Sequence, residues 1–214
     1  ALMVGIDCAT GEKLWEVPNP DNWKMSHSSV MPWSYNGTNM YVYSAIGGVC
    51  GIAAEGDREG TTLWASSEWS KSVVAPSALG LPEGRLFLTA GYGAGSMMFQ
   101  LEETGGAFTL NKLYEHKPNE GLASEQQTPV FYNGGLFGIL PKDAGINRNQ
   151  LVCASPDDTR EFLWTSGKTH RFGLGPYMIA DGKLFVLNDD GVLSIVRPST
   201  DAFQLEDQWQ VFDA

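Results

Sequence analysis

Apolar residues fall in short runs along the whole chain, and clusters of Gly, Asn, Asp, Thr and Pro separate them. The first clear case is "GIDCATGEKLW", residues 5–15. Val4 and Ile6 precede Asp7 and the Thr10-Gly11 pair, and Leu14 and Trp15 follow. The Asp and Thr oxygens can accept from nearby backbone amides and Gly tolerates positive φ, so the segment predicts a tight β-hairpin. A lone hairpin is not stable in water, so further strands must pair or pack with it. No stretch holds 3.6-residue amphipathic spacing with caps at both ends, which leaves an all-β chain.

The same hairpin recurs. "GIAAEGDREGTTLW" ends on Trp64, "FQLEETGGAFTLNKLY" on Tyr114, "LVCASPDDTREFLW" on Trp164 and "SIVRPSTDAFQLEDQW" on Trp209, so the aromatic marks lie 49, 50, 50 and 45 residues apart. A second hairpin sits in each interval, in "MPWSYNGTNMYVYS", "APSALGLPEGRLFLT", "TPVFYNGGLFGIL" and "GPYMIADGKLFVL". Its prolines are Pro32, Pro76, Pro129 and Pro176, and its turn glycines Gly37, Gly84, Gly134 and Gly182.

Each unit is therefore four short antiparallel strands, A to D, and such units at this period predict the blades of a β-propeller. An ordinary β-sandwich would not repeat Pro, Gly and Trp in the same order four times. The expected division is an outer half-blade over 1–17, blades over 18–64, 65–114, 115–164 and 165–209, and the start of another strand or a tail over 210–214. Together they form a single propeller segment, 1–214. A Trp at the end of the outermost strand is expected to bury ~200 Å² against the neighbouring blade, with its indole N–H bonded near a turn. It is a structural mark without chemistry.

Composition narrows the partners. The 214 residues are 43% hydrophobic and include 25 Gly, 7 Trp, 7 Tyr and 10 Phe, with a net charge of −11. That acidity argues against nucleic acid and against an anionic membrane surface. No apolar run is long enough to span a membrane. Cys8, Cys50 and Cys153 fit neither a zinc spacing nor a disulfide framework, and are expected as small buried residues in strands.

The pattern of "GIDCATGEKLW", with its Asp, Thr-Gly and Leu-Trp, resembles the repeat of the pyrroloquinoline-quinone-like (PQQ-like) β-propeller family. "NPDNWKMSHSSVMPW", "TAGYGAGSMMF" and "KTHRFGLGPYMIADGKLFVLNDDGVL" resemble a bacterial branch often labelled outer-membrane biogenesis protein. The family includes the quinoprotein alcohol dehydrogenases and the propeller lipoprotein of the outer-membrane β-barrel assembly machinery. The resemblance implies a periplasmic or cell-envelope location and a ring of seven or eight blades, of which this chain would be an arc. A closed four-bladed ring is the other possibility.

In such a fold the D-to-A and B-to-C connections emerge on one face, where sites usually form. On that face are expected Trp23, Lys24, His27, Trp69, Lys71, Tyr92, Glu125, Gln126, Lys142, Asp143, Arg148, His170 and Arg171. All three histidines, His27, His116 and His170, fall in these loops, without the spacing of a metal motif; bonds to backbone or solvent are the expectation. The resemblance raises the quinone PQQ with calcium as a cofactor. In the family's dehydrogenases it lies on a tryptophan floor beneath a disulfide of adjacent cysteines. This chain has no adjacent cysteine pair, although Trp23 or Trp69 could stack a planar ring, and Glu125, Gln126 and Asp143 could supply oxygen ligands.

"AGYGAGS", with Gly91, Gly93 and Gly95, leads into a strand and not a helix, so it predicts a B-to-C loop and no phosphate cradle. "NDDG", 188–191, predicts a hairpin turn. No nucleophile motif is present, and no catalytic residue is assigned. The expected function is non-catalytic: a binding or scaffold propeller holding a protein, peptide or glycan at the loop face. A quinoprotein alcohol or sugar dehydrogenase, or an architectural subunit of a larger redox complex, are the alternatives.

Overall fold

The turn residues behave as the repeats require. In the computed structural model, which describes residues 1–213, Asn36-Gly37, Asn133-Gly134 and Asp181-Gly182 all have positive φ at both positions. That is the two-residue turn whose twist matches the strands it joins. These turns connect the first two strands of three sheets. The fourth such hairpin uses three residues, Pro82–Gly84, closed by Leu81 N–H donating to Arg85 O at 2.7 Å.

The chain is all-β and forms β-propeller blades of four antiparallel strands. A two-stranded sheet comes first, β1 (Met3–Ile6) and β2 (Lys13–Val17). Four sheets follow, each in chain order: β3 (Met31–Tyr35), β4 (Thr38–Ala45), β5 (Gly48–Ala53) and β6 (Thr62–Ser66); then β7 (Leu79–Gly80), β8 (Arg85–Ala90), β9 (Gly95–Thr104) and β10 (Ala107–His116). The third has β11 (Val130–Tyr132), β12 (Gly135–Ile139), β13 (Leu151–Ala154) and β14 (Phe162–Thr165). The last has β15 (Tyr177–Ala180), β16 (Lys183–Leu187), β17 (Val192–Val196) and β18 (Leu205–Gln210). Strand β18 takes in Gln210; of the expected tail over 210–214, Ala214 lies outside the described residues.

By contacts the chain divides into two compact units, residues 1–88 with 97–114, and residues 89–96 with 115–214. In the first, Met3 and Val17 of the half-blade pack on Cys50 and Ile52 of β5. In the second, Phe137, Leu151 and Trp164 of one sheet pack on Leu184, Val186 and Val196 of the next. Each buried side chain of this size removes enough apolar surface from water to contribute about 1.5–3 kcal/mol.

The Leu-Trp pair of the repeat has a specific geometry. Trp15 lies opposite Gly5, Trp64 opposite Gly51 and Trp164 opposite Cys153. Just beyond each of these steps the register shifts, so Leu14, Leu63 and Leu163 are each the extra residue of a β-bulge. In the last sheet the bulge falls later, between Ile195 and Val196. The indoles find acceptors as expected: Trp15 Nε1 donates to Glu59 Oε1 at 3.0 Å and Trp164 Nε1 to Ser199 O at 2.6 Å. Trp64 and Trp164 are buried, but Trp209, opposite Leu193 in the ladder, is 48% exposed, contrary to its expected burial.

The cysteines divide. Cys50 and Cys153 are buried in β5 and β13, whereas Cys8 is exposed in the β1–β2 turn, contrary to its expected burial, since Asp7 and Thr10 rather than a core organise that turn.

Candidate functional site

In the second unit, the loops that follow the second and fourth strands are fastened one to the next. Thr89 Oγ1 accepts from Ser124 N–H at 2.9 Å and donates to Gly95 O at 2.9 Å, which ties loop 91–94 to loop 117–129. Asp143 Oδ2 accepts from Gly93 N–H at 2.8 Å, which ties 91–94 to loop 140–150. Phe172 N–H donates to Asn149 O at 2.8 Å, and Gln150 forms an isolated β-bridge with Arg171, joining 140–150 to loop 166–176. Leu174 N–H donates to Asp189 Oδ1 at 3.0 Å, reaching loop 188–191. Such bonds satisfy backbone groups that would otherwise depend on water, and they fix the loops' relative positions.

Between loops 140–150 and 166–176 opens a cavity of about 550 Å³. Lys142, Arg148, Lys168 and Arg171 line it, together with Asp143 and the side chain of Ile146, which is 79% exposed. Arg171 is committed to structure: its guanidinium donates to the carbonyls of Arg148 and, at 3.1 Å, of Ile146. None of the four cations is ion-paired among the described residues. Asp143, the one carboxylate on the rim, already accepts the Gly93 amide.

The other expected site residues of this unit are near the loops but do different work. Glu125 is buried, packed so closely on Gly91 that a Cβ there would overlap its side chain, and its Oε2 accepts from Lys142 N–H at 3.4 Å. Gln126 and Tyr92 are exposed, Tyr92 at φ +57°. The His170 ring packs tilted against Phe203, with centroids 5.3 Å apart, and its carbonyl accepts from Ser166 Oγ at 2.6 Å. His116 is buried with Nδ1 3.1 Å from Thr159 Oγ1 and Nε2 3.9 Å from Asp158; burial lowers its pKa, and the Asp158 charge opposes that.

The first unit holds the remaining candidates. Trp23 lies against Gly47 and Gly48, where a Cβ would overlap its indole, and Asn19 bonds its backbone at both N–H and C=O. Lys24 pairs through its backbone with Ile46, and His27 N–H donates to Val74 O at 2.9 Å. Trp69 is fully buried, with Lys71 Nζ 4.9 Å from its ring centre. Trp69 offers no open face to a planar ring, and the Trp23 indole lies against Gly47 and Gly48. Among the described residues, no three His, Cys, Asp or Glu side chains converge as a group able to hold a metal ion.

Sequence reasoning omitted Lys168 and Ile146 from the site. Lys168 lies three residues before Arg171 in "KTHR", but nothing in the spacing places it beside Arg148. The exposed Ile146 sits in a polar loop where a single apolar residue gives no periodic signal.

No protein-family model matches the chain, and no curated protein matches it. Solved structures do. BamB from Moraxella catarrhalis superposes with a TM-score of 0.56 at 14% identity, over 97% of this chain and 57% of that one. The quinohemoprotein alcohol dehydrogenase from Comamonas testosteroni superposes with a TM-score of 0.60 at 12% identity, over 96% of this chain and 39% of that one. The chain thus spans less than two thirds of the length of either structure. At these identities the likeness is one of fold, and the fold is that of the PQQ-like β-propeller proteins whose repeat the sequence resembles.

Proposed function

We propose that this chain is a non-catalytic binding propeller of the bacterial envelope, periplasmic in location, which holds a protein, peptide or glycan partner on its loop face. The observation that carries the reading is the fastened loop series of the second unit with an open cavity between its loops. Its polar side chains are largely spent on backbone groups: Glu125 on Lys142, Asp143 on Gly93, Asp189 on Leu174. Groups used in this way make a rigid, exposed platform, which lowers the ordering cost of binding. The envelope location rests on the family resemblance and on the fold shared with BamB, and so stays part of the proposal.

The test is site-specific photocrosslinking from Gln126 and Ile146, two exposed loop positions, in bacterial envelope extract. A partner crosslinked from both sites, but not from an exposed position on β10 such as Asn111, is the expected result. Background alone from all three would overturn the reading. Dye reduction with an alcohol on adding PQQ and calcium would replace it with the dehydrogenase alternative.

A further inference from the structure

The fold gathers four cations that the sequence keeps apart. Lys142 and Arg148 belong to the loop between β12 and β13, Lys168 and Arg171 to the loop between β14 and β15, and all four line one cavity. This happens in a chain with only 14 Lys and Arg and a net charge of −11. Elsewhere several surface cations pair with acids, as Lys13 with Glu16, Lys117 with Glu120, Arg160 with Asp158, and Lys183 and Arg197 with Glu206, while Arg58 bonds the Gly106 carbonyl. Here no acid answers them, and Asp143 is turned to the Gly93 amide.

We propose that this cavity binds an acidic peptide segment, in which carboxylates meet Lys142, Arg148 and Lys168 and a neighbouring apolar side chain meets Ile146. The inference rests on the binding-propeller reading and names the chemistry of its partner. Arg148 is exposed and its fork is free to take a carboxylate with two parallel bonds. Arg171 is held by two carbonyls and supplies charge without moving.

A peptide fits better than a lone anion for two reasons. The cavity is open and Lys142, Arg148 and Lys168 are exposed, so any single ion contact there is screened and worth little. Several carboxylates on one chain add their contacts without separate losses of translational freedom. The second reason is Ile146, 79% exposed among the cations, which a free inorganic anion would leave in water.

The test is fluorescence anisotropy of the whole chain with a short fluorescein-labelled peptide of alternating Glu and Leu, with a Lys/Leu peptide, free glutamate and inorganic phosphate as comparisons. The Glu/Leu peptide is expected to bind, about tenfold more weakly in high salt than in low salt. The R148E/K168E pair should weaken it at least about tenfold and the neutral R148Q/K168Q pair by less, while K117E, a charge reversal outside the cavity, leaves it unchanged. Circular dichroism checks that the exposed substitutions leave the fold intact.

Absence of binding, indifference to R148E/K168E, or equal displacement by inorganic phosphate would each overturn the proposal. If the loop-face photocrosslink persists undiminished in R148E/K168E, the binding-propeller reading stands and the cavity inference fails. If the peptide binds as expected but no envelope partner crosslinks, it is the envelope reading that fails.

Discussion

Gly51 faces Trp64 across the β5–β6 pair, and the indole lies where any side chain at position 51 would have to go. Gly5 and Trp15 repeat the relationship in the half-blade. The glycine that opens "GIDC" and "GIAA" is therefore there for close approach and not for an unusual φ.

Gly51→Ala should destabilise the chain by about 1–3 kcal/mol, because the overlapped atoms are a rigid ring ringed by buried neighbours. Urea denaturation reads the loss as a lower midpoint with unchanged slope. A companion Trp64→Leu, which removes the ring, should make the second effect of Gly51→Ala smaller than the first.

The three thiols should differ sharply in reactivity. Burial pushes Cys50 and Cys153 up to about 12, whereas Cys8 is exposed in a turn. Since the thiolate is the reactive form, a thiol reagent near neutral pH should modify Cys8 in the folded chain and all three in denaturant. Modification of Cys50 or Cys153 at the rate of Cys8 would contradict the structure.

His116 makes stability depend on pH. Burial is the larger influence and lowers its pKa; Asp158 and Glu120 push the other way, and Arg160 adds to the lowering. An unfolded chain therefore takes up this proton first as the pH falls. The stabilisation is complete above the ordinary histidine value of about 6.5 and is lost as the pH drops towards the lowered folded value. His116→Gln should flatten the change in melting temperature between about pH 7 and about pH 5.

Asp143 fixes loop 91–94 through the Gly93 amide. Asp143→Ala should speed hydrogen exchange at Gly93, with a cost of about 0.5–1.5 kcal/mol at most. Asp143→Asn keeps an acceptor oxygen and should retain much of the protection. Equal exchange in all three proteins would show that the bond does not hold the loop.

The strand order and the hairpin turns were legible because they depend on neighbours in the chain. Asn-Gly and Asp-Gly need only their own backbone, and Leu-Trp marks recur at a fixed period. The platform was partly legible: Lys142, Asp143, Arg148 and Arg171, named from their loops alone, line one cavity, while Trp69 is fully buried. A tryptophan in a loop reads as a stacking surface, yet Trp69 is buried completely, and no periodicity in a loop reveals which way a ring turns. The cationic cavity escaped notice because bulk charge averages over the chain. Arg148 and Lys168 are twenty positions apart, and only a bridge such as Gln150 to Arg171 makes them neighbours.

The bulges at Leu14, Leu63 and Leu163 bear on how such a chain can change over time. Each falls between the aromatic anchor and the hairpin tip, so the anchor's partner is set on one side of the irregularity and the tip on the other. The tips already differ, from the Asp7–Glu12 turn to the longer connections closed by Ala53–Thr61 and Ser155–Glu161, yet the Trp keeps its place in the ladder. Residues gained or lost at a tip need not slide the strands past one another. These three hairpin tips are thereby free to diversify in length while the pairing at the aromatic anchor stays the same.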